Sequence, residues 1–148
     1  MKTRLTSVGL GLLLLSAAGA AQDTHDATKL IGSWKLVKAV YGGAPSNMNG
    51  QVEIKDVTDS HFMWFRHKEG SSTLTDAGGG SYSIKGDTYS ERLEYGLGND
   101  FNVVKGHVIP LKWKLDGNMW HISGTLNNGL VFEEDWEKLP AEQVGGAQ

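Results

Sequence analysis

The stretch VVKGHVIPLKWKLDGNMWHISGTLNNGLVFEEDWEK, Val103–Lys138, decides the fold. Apolar and polar residues alternate along it in steps of two. In Val103–Leu115, the residues Ile109, Leu111, Trp113 and Leu115 share one face, and Lys112 and Lys114 lie on the other. In Leu130–Lys138, Leu130, Phe132, Glu134 and Trp136 share a face opposite Val131, Glu133, Asp135 and Glu137. Successive strand side chains point to opposite sides of a sheet, so this spacing predicts half-buried strands. Asp116-Gly117-Asn118 and Asn127-Asn128-Gly129 punctuate the runs. Such steps supply the positive φ that tight hairpin turns need.

The same pattern extends upstream. Strand-like runs cover Ser33–Tyr41, Gln51–Val57, Ser60–His67, Gly80–Lys85, Thr88–Tyr95, Val103–Leu115, Met119–Leu126 and Leu130–Lys138. A third hairpin signal, Lys85-Gly86-Asp87, joins two of them, and Gly78-Gly79-Gly80 reads as a flexible lead into a strand. Only Asp26–Ile31 has the makings of a short helical turn. About eight strands joined mostly by short turns predict an all-β chain folded as an antiparallel meander. A meander removes its exposed edges most simply by closing into an up-and-down β-barrel, and an eight-stranded barrel holds side chains or one small ligand. A two-sheet sandwich with a filled core is the competing architecture. By alternation, Tyr89, Glu91, Leu93 and Tyr95 face inward on one run, and Tyr82 and Ile84 on another. For Ser60–His67 the spacing allows either Phe62, Trp64 and Arg66 or His61, Met63, Phe65 and His67 inside. The first set is preferred beside tryptophan-rich neighbours.

Composition narrows the function classes. The 148 residues include 20 glycines, about twice the usual share of ~7%, and no cysteine. Disulfides and thiolate chemistry are thereby excluded. Lys2 and Arg4, the apolar run Val8–Leu15 and the small residues Ala18-Gly19-Ala20 form a secretory signal peptide over 1–20, too short to span a bilayer. A polar lead-in at 21–29, a barrel domain at 30–139 and a C-terminal tail at 140–148 complete the chain. An exported product, periplasmic or secreted, is therefore expected. Without Lys2 and Arg4 the formal charge moves from −3 to −5. This argues against nucleic acid or an anionic membrane as partner, and no membrane anchor is expected.

The inward faces carry chemistry. Glu91, Glu134 and Arg66 point into an enclosure lined by tryptophans and leucines, where a carboxylate must be paired, protonated or wet. Arg66 is the natural counter-ion for both acids. One reading is a ligand cavity in which Trp64, Trp113, Trp120 and Trp136 bury an apolar body. Arg66, Tyr82, Tyr89, Tyr95, Glu91 and Glu134 would orient its polar end, with Arg66 holding an anionic head group. A second is a barrel enzyme, an isomerase, cyclase or hydrolase, using Glu91 or Glu134 as general acid or base. A third is a filled barrel that binds another protein through its outside. No nucleophile sits in a G-x-S-x-G turn and no phosphate loop is present. His61 and His67 share a strand face, and with His121 could make a zinc-type set. Their spacing matches no metal motif, so they read as surface or barrel-mouth residues. No metal, cofactor, catalytic residue or protein partner is assigned.

The segment Leu30-Ile31-Gly32-Ser33-Trp34-Lys35-Leu36-Val37 resembles the G-x-W opening of lipocalins and fatty-acid-binding proteins, the calycin group. Further stretches, Ser60–Trp64, Gly79–Glu91, Glu94-Tyr95-Gly96, Ser123–Leu130 and Glu133–Glu137, resemble the lipocalin-like domain of exported bacterial proteins of unknown function. The likeness runs from about Leu30 to Leu139. It implies a small calyx-type barrel with Trp34 packing across one end. It implies no activity, since fold-level likeness does not supply function. The expectation taken forward is an exported lipocalin-like barrel that binds a small hydrophobic or amphipathic molecule.

Overall fold

The computed structural model describes residues 27–48 and 50–141. The expected signal peptide at 1–20, most of the lead-in and nearly all of the tail lie outside them. A 3-10 turn, Ala27–Leu30, precedes strands β1 (Gly32–Tyr41), β2 (Ala44–Pro45), β3 (Gln51–Val57), β4 (His61–Lys68), β5 (Leu74–Lys85) and β6 (Thr88–Leu97). A six-residue helix, α1 (Asn99–Val104), comes next, followed by β7 (Val108–Asp116), β8 (Met119–Thr125) and β9 (Val131–Lys138).

Eight strands, β1 and β3 to β9, are successive antiparallel neighbours, and β9 returns to β1 from Trp34↔Lys138 to Tyr41↔Phe132. The sheet therefore closes into an up-and-down barrel, with β2 as one extra short strand beside the end of β1. The tight turns form where glycine breaks the alternation: Gly86 and Gly117 take φ of 58° and 61° in two-residue hairpin loops. In a region disallowed to most side chains, that choice of residue fixes the register of both hairpins.

One end of the barrel is plugged. Trp34 is buried and donates its indole N–H to the Leu30 carbonyl at 2.8 Å, which ties the 3-10 turn across the opening. Trp120 meets the edges of Trp34 and Tyr89 at centroid distances of 5.4 and 5.3 Å. Lys138 lies over the Trp34 ring at 4.9 Å and donates to the Lys29 carbonyl, so its alkyl stem and charge finish the seal. The other end carries α1 and the β8–β9 loop.

Three expectations need correction. Val103 and Val104 belong to α1 rather than to a strand beginning at Val103. Phe101 and Val104, three apart, form its buried face, and a helix of six residues is too short for that spacing to stand out from the strand pattern. Gly78-Gly79-Gly80 lies in the middle of β5, which begins at Leu74. The Trp64 ring would approach a Gly78 Cβ to 2.9 Å, and the Arg92 carbonyl would meet a Gly80 Cβ at 2.0 Å, so only glycine fits there. Tyr95 points outward and is 50% exposed. Gly79 pairs with Tyr95 but Gly80 pairs with Leu93, leaving Glu94 as a bulge residue that breaks the alternation.

Candidate functional site

The unplugged half of the barrel holds a cavity of about 400 Å³. Its walls are mostly apolar, with Leu93, Ile109, Leu111, Ile122 and Phe132 from four strands and Val104 from α1. Charged side chains converge within this surface. The favoured face of β4 is the inner one, with Phe62 and Trp64 buried and Arg66 at the cavity. Directly opposed residues on paired strands share a face. Hence Lys55, opposite Trp64, and Glu53, opposite Arg66, also point inward. Alternation in β3 alone would have put Val52 and Ile54 there. The register with β4 is the signal that finds Glu53 and Lys55.

Lys55 is 3% exposed and donates to Glu91 Oε1 at 2.8 Å; Glu91 is 6% exposed. β3 and β6 are not neighbours, so this ion pair spans the interior. The ammonium also sits over the rings of Trp136 at 4.8 Å, Trp120 at 5.4 Å and Phe62 at 5.7 Å. Burial works to lower the Lys55 pKa, but attraction to Glu91, then Glu134, and the hydrogen bond to Glu91 leave it raised. Lys55 is a charged ammonium in an aromatic cage.

Arg66 ties three elements together. Its Nε and Nη2 both reach Glu53 Oε2 at 2.8 Å, Nη1 meets Asp100 Oδ2 on α1 at 2.6 Å, and Asp76 on β5 lies 3.8 Å away. The Glu53 carboxyl is nonetheless pushed up to about 7, first by burial and then by repulsion from Glu134. Glu134 receives neutral donors: the Tyr41 hydroxyl gives to Oε1 at 2.7 Å and the Trp136 indole to Oε2 at 3.0 Å. Burial and the Glu134 charge raise the Tyr41 pKa, so the phenol keeps its proton. Tyr41 faces inward because β1 bulges between Leu36 and Lys38, which shifts the alternation by one residue.

Of the residues singled out in the sequence, Trp64, Arg66, Glu91, Glu134 and Trp136 meet at this cavity. Tyr89 and Trp113 are buried away from its wall, and Trp120 belongs to the plug. Tyr82 donates to the Thr58 carbonyl at 2.7 Å in the β3–β4 turn, at the plugged end. Tyr95 is outside. The expected partnership of Arg66 with Glu91 and Glu134 is replaced: Lys55 takes Glu91, and Arg66 takes Glu53, Asp76 and Asp100. An anionic head group on Arg66 would have to displace these carboxylates. Glu91, one of the two acids considered for proton transfer, has its Oε1 occupied by Lys55.

The histidines do not converge. His61 is exposed, and His121 contacts Asp135 at 2.7 Å. Among the described residues no group of three His, Asp or Glu is placed to hold a metal ion, and no helix is long and apolar enough to cross a membrane. Compared with known proteins, the chain matches no protein-family model and no curated protein.

Proposed function

We propose that this chain is an exported lipocalin-like protein that binds a small amphipathic molecule in the unplugged half of its barrel. The observation that carries this reading is the cavity of about 400 Å³, apolar over most of its wall and holding a few converging charged groups. Sites for small molecules have this volume range and this division of labour. The plug supports it too. Trp34, Trp120 and Tyr89 pack against one another at one end of the interior, and the cavity lies beyond them. Burial of an apolar body against Leu111, Ile122 and Phe132 would supply affinity at ~25 cal/mol per Å² removed from water.

Trp64 and Trp136 line the cavity and report on its contents. Titration of tryptophan emission with medium-chain alcohols, amines and acids and with aromatic metabolites is expected to give a saturable shift for at least one class. Leu111→Trp, which narrows the cavity, should weaken that binding at least tenfold. Absence of any saturable change across the panel, confirmed by calorimetry, overturns the reading.

A further inference from the structure

The charges facing the cavity do not balance. Glu53, Glu91, Asp100 and Glu134 line it, against Lys55 and Arg66. Both cations are engaged, Lys55 by Glu91 at 2.8 Å and Arg66 by Glu53 and Asp100 at 2.8 and 2.6 Å. Glu134 is the remaining acid. It accepts from Tyr41 and Trp136, and no cation among the described residues lies within ion-pair distance of it. A half-buried carboxylate whose hydrogen-bond donors are both neutral, and which Lys55 attracts without direct contact, keeps part of the cost of its desolvation, and an ammonium brought to it recovers some of that cost. Glu134 is also within range of Glu53, whose proton affinity it raises. Positive charge placed between them eases that repulsion.

We propose that the ligand is an amphipathic organic amine whose ammonium pairs with Glu134 and whose apolar body extends toward the mouth along Phe132, Leu111 and Val104. This rests on the cavity-binding reading above. It reverses the polarity expected from Arg66. Phe132 lies two residues from Glu134 on the same face of β9, on the mouth side, so a chain attached to the ammonium leaves in the direction of α1. The groups around the ammonium are Tyr41 on β1, Glu53 and Lys55 on β3, Arg66 on β4 and Trp136 on β9. Lys55 and Arg66 would repel a cation if bare, but each carries its own carboxylate. Even with Glu53 protonated, Glu91, Asp100 and Glu134 outnumber Lys55 and Arg66 at the cavity.

The test compares octylamine, octanol and octanoate, equal in chain length and different in head-group charge, by calorimetry at pH 7. Octylamine should bind at least tenfold more tightly than octanol, with octanoate the weakest. In Glu134→Gln the advantage of the amine over the alcohol should fall to less than threefold. A glutamine side chain can still accept from Trp136 and donate to the Tyr41 oxygen, so this variant keeps both contacts. Equal binding of amine and alcohol, tighter binding of octanoate, or an amine preference that survives in Glu134→Gln overturns the amine assignment and leaves cavity binding standing. Binding by none of the three overturns the amine assignment. Loss of cavity binding itself is decided separately by the wider panel. If Glu134→Gln fails to fold, the ranking of the three compounds on the wild-type protein decides.

Discussion

Glu53 shows how much one residue's surroundings change its chemistry. On an exposed strand it would be an ordinary glutamate. Here it is 5% exposed and lies within range of Glu134, on the other strand that flanks β1, and its carboxyl rises from 4.5 to about 7 despite the contact with Arg66. The folded chain therefore binds more protons than the unfolded chain between those two values. Stability gained from that proton is fully present below the unfolded value and is lost as pH rises through the window toward about 7. The loss is on the order of 3 kcal/mol at most. Asp87 works in the opposite sense, held below its ordinary 3.8 by a hydrogen bond from Lys112, but it titrates below this window. Calorimetric melting should therefore give a higher midpoint at pH 5 than at pH 8, and Glu53→Gln should flatten the difference. A midpoint that climbs with pH, or a slope unchanged in Glu53→Gln, would contradict this account.

At the scale of the strand, the legible part of the sequence was the alternation, and the illegible part was its phase. Val108–Asp116 and Val131–Lys138 pair and face as their spacing predicts because no bulge interrupts them. β1 and β6 each contain a bulge; in β6 the spacing misplaces Tyr95, and in β1 the bulge turns Tyr41 inward. A bulge depends on the neighbouring strand, so a strand read alone cannot show it. β3 fails for a different reason. Two of its three buried residues, Glu53 and Lys55, are charged, and its other face includes Val52 and Ile54, which inverts the usual rule. The inversion is stable only because β4 and β6 supply Arg66 and Glu91. Removal of one partner strands the other. Lys55→Met should destabilise the protein by about 3–5 kcal/mol, because Glu91 is left buried and uncompensated. Lys55→Met combined with Glu91→Leu should recover most of that loss, since an apolar pair carries no desolvation cost. Urea unfolding of the two single variants and the double variant measures the coupling. Additive losses would mean that the pair is not a unit.

The whole molecule divides into a plugged end and an end that holds the cavity. At the plugged end, aromatic rings from β1, β6 and β8 pack edge to face, and the β9-to-β1 pairing leaves the barrel without an open seam. At the other end, α1 packs mainly on β5 and β6, with Val103 exposed and Asp100 held by Arg66 of β4. Local opening costs least where few apolar contacts and few buried hydrogen bonds must be broken. Amide exchange should therefore be fastest, among the described segments, in α1 and the adjoining loop, including the Lys105 amide that bonds to the Phe101 carbonyl. It should be slowest in the plugged-end halves of β1, β8 and β9. Asp100→Ala releases the helix from Arg66 without touching the plug. It should raise α1 exchange about tenfold, equivalent to ~1.4 kcal/mol of local stability, and leave the protected core unchanged. Val104 lines the cavity, so a ligand bound there would be expected to slow α1 while barely altering the plug. Uniform slowing across both halves would instead mean that the barrel opens as a single unit, and that access to the cavity requires breaking the β1–β9 closure.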